Sequence, residues 1–137
     1  VLNTDNFRDT NGSETLNSYL VHNLIRVVNV TGCKIVISSD WRFGSITAIH
    51  NALKCPGFCD SPTEQEHQTL ISSIVGVTLD FGSRESEIKE WVKHNCIKQW
   101  VAVDDLELDL PFEHFVHTDP TVGLSEQCAI EFIKRLS

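Results

Sequence analysis

Two adjacent carboxylates, Asp104 and Asp105, close an apolar run that begins at Trp100. Neighbouring acids repel unless a cation or a proton lies between them, so the pair suits a hard metal ion, usually Mg²⁺. The alternative is a solvated acidic turn with Glu107 and Asp109. Two further groups could work beside such an ion. One is a hydroxyl at the end of the run Ile35-Val36-Ile37, either Ser39 or Ser38 if the register differs by one. The other is the guanidinium of Arg84, at the start of a helical pattern. A hydroxyl that donates to a phosphoryl oxygen, a cation that offsets phosphate charge and acids that hold a metal together suit phosphate chemistry. Trp41 and Arg42 follow Ser39 and could meet a base or a phosphate, or could instead cap the core.

These residues must be carried by elements that share an edge. Trp100–Val103 and Lys34–Ser39 are short, apolar and β-branched, and so predict buried parallel strands. Helical spacing predicts a helix from Ser13 through Leu16, Leu20, Leu24, Val27 and Val28, ended by Gly32, and a short one over Ser45–Lys54. Ser61-Pro62-Thr63-Glu64 predicts a capped helix running toward Ser73, and Ile74–Thr78 a short strand. A helix is expected over Ser83–Asn95 with Ile88, Trp91 and Val92 inward, a strand over Glu113–His117, and a closing helix over Ser125–Leu136. Trp91 and Trp100 are expected in the core. His114 and His117 fall near the proposed edge without an assigned catalytic role. Alternating strands and helices imply an α/β fold, a parallel sheet with helices on both faces, whose carboxyl edge binds the ligand.

The 137 residues suit one domain, and a net charge of −8 argues against a broad basic surface that tracks along nucleic acid. A phosphorylated small molecule or a nucleic acid end remains a suitable partner. No apolar run is long enough to cross a bilayer and no export signal is present, which leaves the cytoplasm as the expected setting and no membrane partner. Oligomeric state is not legible. Five cysteines in no framework spacing argue against a disulfide scaffold, and Cys55, Cys59 and His67 offer zinc only three ligands.

The ordered set Lys34–Arg42, Arg84–Trp91, Trp100–Asp105 and Val122–Ser125 resembles the haloacid dehalogenase (HAD) superfamily. It is most similar to the small-cap branch found in Swiss-army-knife RNA repair proteins. The resemblance implies a Rossmann-like fold with minimal or no cap and Mg²⁺-dependent phosphoryl transfer through an aspartyl-phosphate. It implies that Ser39 binds phosphate, that Arg84 balances nucleophile and phosphate charge, and that Asp104 and Asp105 hold the metal. The family's Asp-x-Asp turn would precede Val1, so its first strand and nucleophile are expected upstream of this sequence. A phosphatase acting on a nucleotide or on a 5′ or 3′ nucleic acid end is the implied function. The alternatives are a HAD-like domain that binds phosphate or protein without catalysis, and a purely structural domain.

Overall fold

A computed structural model describes residues 18–38, 53–54, 62–80, 82–119 and 121–136. Expectations for Ser13, Ser39, Trp41, Arg42, Cys55 and Cys59 lie outside the described residues, as do those for most of the 45–54 helix.

Helix α1, Ser18–Thr31, is apolar along two stripes. Val21, Ile25 and Val28 recur at i, i+4 and i+7, and they are buried with Leu53 and Leu70 in the core cluster. Leu20 and Val27 are buried as well, and α1 also packs along the last helix. Gly32 ends α1. Its φ of +66° is open to glycine without strain, and its N–H donates to the Val28 carbonyl at 2.8 Å. Strand β1, Ile35–Ile37, follows at once and packs Ile35 and Ile37 against the cluster.

Helix α2, Glu64–Ser73, begins two residues later than the Ser61-Pro62 pattern predicts. Thr63 is the cap: its hydroxyl accepts from Glu66 N–H at 3.1 Å, while the Glu66 carboxylate accepts from Thr63 N–H at 2.9 Å. That reciprocal pair satisfies two orphan donors, which a cap at Ser61 with Glu64 would have left to this turn's interior. Strand β2, Ile74–Val77, runs parallel to β1 with Ile37 opposite Val77. Gly76 lets the Trp91 ring close over the strand, since a Cβ there would lie 2.5 Å from Trp91 Cη2.

Helix α3, Arg84–His94, is capped by Ser83, whose hydroxyl accepts from Ser86 N–H. Strand β3, Ala102–Asp104, pairs in parallel with β4, Phe115–His117, placing Asp104 opposite His117. The 3₁₀ turn Phe112–His114 leads into β4. Helix α4, Glu126–Leu136, closes the chain's described part. Arg135 fastens it to β4: it donates to the Phe112 and Phe115 carbonyls and stacks 4.1 Å over the Phe112 ring. Asn23 joins α1 to the entry of α4 through the Leu124 carbonyl at 2.9 Å.

The class is α/β, and every strand pair is parallel. The described strands form two pairs, β1–β2 and β3–β4. Among the described residues each strand has one hydrogen-bonded neighbour, and Ile35–Ile37, Ala102 and Val103 are half-buried rather than buried. The strand ending in acid starts at Ala102 and not at Trp100. The Trp100 carbonyl accepts from His114 Nδ1 at 2.8 Å, and the two rings stack at 4.2 Å, which uses Trp100 as a clamp on the 3₁₀ turn. Trp91 and Trp100 are both half-buried, contrary to the expected core placement. On α3 the buried residue is Glu87, 2% exposed, while Ile88, Trp91 and Val92 are half-buried.

Candidate active site at the carboxyl ends of the strands

Asp104 is the last residue of β3 and is 4% exposed. A carboxylate buried that far is costly unless paired and hydrogen-bonded, and here it is both. Arg84 Nη1 donates to Oδ2 at 3.0 Å, and the Leu106 N–H donates to Oδ1 at 2.9 Å. Arg84 opens α3, seven residues beyond the end of β2, so its contact with Asp104 ties the segment that follows β2 to the carboxyl end of β3. Ile37 ends the strand paired with β2, which puts the half-buried Ser38 at the carboxyl end of that pair.

Asp105 follows, half-buried, in the turn out of β3. The backbone carbonyls of both acids are held. The Asp104 carbonyl accepts from Thr118 N–H at 2.8 Å, and the Asp105 carbonyl accepts from His117 Nε2 at 2.9 Å. Thr118 is 1% exposed, and its hydroxyl has no partner among the described residues. Beyond it, Asp119 accepts from the hydroxyl of Thr121 at 2.6 Å and from its N–H at 2.8 Å. Those bonds, the hydroxyl's first, hold the Asp119 carboxyl below its ordinary range, with His117 assisting and desolvation opposing.

The structure therefore brings Arg84 and Asp104 into contact, with Asp105 next in the chain, and places Ser38 at the carboxyl end of β1; Ser39, Trp41 and Arg42 lie outside the described residues. Sequence reasoning left His117 without a role and passed over Thr118 and Glu87. The parallel register that sets Asp104 opposite His117 is not written in local pattern. Glu87 had one signal, its i+3 spacing from Arg84 on α3, which places both on one helix face.

Two adjacent carboxylates form a hard oxygen set of the kind Mg²⁺ takes with waters and a substrate phosphate. Among the described residues no cluster of three or more His, Cys, Asp or Glu side chains converges. The donor set fits magnesium.

Residues 1–129 match the family described as HAD domain in Swiss Army Knife RNA repair proteins. The chain belongs to this family. The HAD domain also shares 28% identity over 75 residues with the phenylalanine–tRNA ligase alpha subunits of Rhodopseudomonas palustris strains TIE-1 and ATCC BAA-98 / CGA009. That match covers 54% of this chain and 21% of each relative, so the chain spans about a fifth of the length of the curated relatives it matches. No solved structure matches it. No helix among the described residues is long and apolar enough to cross a membrane.

Proposed function

We propose that this HAD domain is a Mg²⁺-dependent phosphohydrolase of phosphomonoesters, its substrate a nucleotide or a 5′ or 3′ nucleic acid end, working in the cytoplasm. The observation that carries the reading is the buried Arg84–Asp104 pair beside Asp105 at the strands' carboxyl edge, in a chain of this family. Mg²⁺, when bound, neutralises charge on the transferring phosphoryl group. Asp104 and Asp105 would hold it. Arg84, fixed by Asp104, adds a positive charge at the same edge, and the Ser39 hydroxyl, or that of Ser38, would donate to a phosphoryl oxygen. The charge of −8 favours a small substrate and the family's RNA repair context favours a nucleic acid end.

A second reading has its own support. Both Asp104 oxygens already accept bonds, as they would in a domain that keeps the pair as a structural lock and binds phosphate or protein without turnover. Hydrolysis of a generic phosphomonoester by the full-length protein separates the two. Turnover that requires Mg²⁺ supports the phosphohydrolase. Mg²⁺ binding without turnover supports the second reading.

A further inference from the structure

The acid turn is held from β4 as well as from β3. Asp104 pairs with His117 across the strands, Thr118 N–H reaches back to the Asp104 carbonyl, and the His117 ring reaches the next carbonyl, that of Asp105. A carbonyl oxygen only accepts, so Nε2 must carry the proton at this contact, in the neutral ring as in the charged one. The ring is steadied from its own strand, lying 5.8 Å from the Phe115 ring at 29°. Among the described residues the Asp105 carboxylate makes no bond of its own. What is held is the backbone that carries it: His117 bonds the oxygen of the peptide that follows Asp105.

We propose that His117 is a positioning residue, which fixes the Asp105 peptide so that the Asp105 carboxylate faces the same ion as Asp104. The inference rests on the phosphohydrolase reading, because it takes Asp105 to be a metal ligand. Groups that orient ligands from behind commonly change metal affinity more than they change folding. His117→Phe keeps a ring against Phe115 and removes the donor. His117→Gln returns an N–H donor close to the position of Nε2.

In the full-length protein, His117→Phe should raise the Mg²⁺ dissociation constant about tenfold by calorimetry, as loss of such support does elsewhere. The metal-free melting temperature should stay within about 2 °C, the size of a sub-kcal/mol change in a domain of this size. His117→Gln should recover most of the affinity. Equal Mg²⁺ affinity in His117→Phe and wild type overturns the inference and leaves the phosphohydrolase reading standing. Equal losses in the Phe and Gln variants also overturn it, since the hydrogen bond would not then be the cause. A folded wild type that binds no Mg²⁺ overturns both. Nitrogen NMR of the wild-type ring gives a test that does not depend on a variant folding. Nε2 should be protonated and should shift when Mg²⁺ is added; an Nδ1-protonated ring, or no shift, overturns the inference.

Discussion

Arg84→Met removes the cation from Asp104 while keeping an unbranched stem along the same path. The side chains of the pair are 17% and 6% exposed, so neither group can be fully rehydrated in place. Breaking a buried pair from one side costs roughly 3–5 kcal/mol, because the remaining charge stays buried without its partner. Two features lower that figure here. Leu106 N–H still donates to Oδ1, and the Arg84 end of the pair has some access to water. A loss of about 2–3 kcal/mol is expected, which at a urea dependence of about 1–3 kcal/mol/M lowers the unfolding midpoint by about 0.7–3 M. Asp104→Leu alone strands the Arg84 charge and should cost a similar amount. Arg84→Met/Asp104→Leu removes both charges and should lie within about 1 kcal/mol of wild type, the remainder being the Leu106 N–H left without its acceptor. Urea unfolding of the four proteins gives the coupling energy directly. If Arg84→Met costs less than about 0.5 kcal/mol, or the double variant is as unstable as the sum of the singles, the pair is not the buried lock argued for it.

The two acids should separate by measurement. Asp105→Asn should change stability by less than about 0.5 kcal/mol yet weaken Mg²⁺ binding about tenfold, whereas Asp104→Asn should lower both, with calorimetry and thermal melts as the readouts. Thr63→Ala should cost about 1 kcal/mol by removing the α2 cap. The same cap predicts a pH dependence. The Thr63 N–H holds the Glu66 carboxyl below its ordinary 4.5, so its stabilisation is complete above that value and is lost as pH falls through the lower folded one. Acid unfolding of Glu66→Gln should accordingly be less steep than that of wild type over this window. Gly76→Ala should cost about 1–3 kcal/mol, because its Cβ would meet the Trp91 ring carried by α3.

Local signals were legible where the physics is local. Ser83 and the basic last turn of Lys93 and His94 bound α3, and Gly32 ends α1, because caps and charges act within one turn. The start of α2 shows the limit of such signals. Ser61 and Thr63 both head a hydroxyl-x-x-Glu pattern, and only the formed bonds of Thr63 with Glu66 choose between them. Asp104 and Arg84 stood out by residue type at the ends of elements. His117 and Thr118 did not, because their importance comes from lying across a parallel ladder from Asp104, with ten residues of connection between the strands. The burial of Trp91 and Trp100 was overestimated for a related reason: hydrophobic size is read from the sequence, while Gly76 and His114, which take up those rings, are distant or unremarkable in it.

The Arg84–Asp104 contact joins the two strand pairs at their carboxyl edge, with Arg84 arriving from the β2 side and Asp104 from β3. Packing of α1 along α4, with Asn23 on the Leu124 carbonyl, is a second link between the same halves. The groups proposed for phosphate chemistry are thus also a structural tie, and a single substitution in the pair changes stability and site together. For that reason loss of turnover in Asp104→Asn alone cannot distinguish a catalytic acid from a collapsed edge. The doubly apolar variant can. It should fold nearly as well as wild type through the α1–α4 contact and the remaining strand pairing, while lacking the charge that holds Mg²⁺. A protein of near wild-type stability that has lost Mg²⁺ binding assigns the pair to the site; one that keeps Mg²⁺ binding assigns it to the fold.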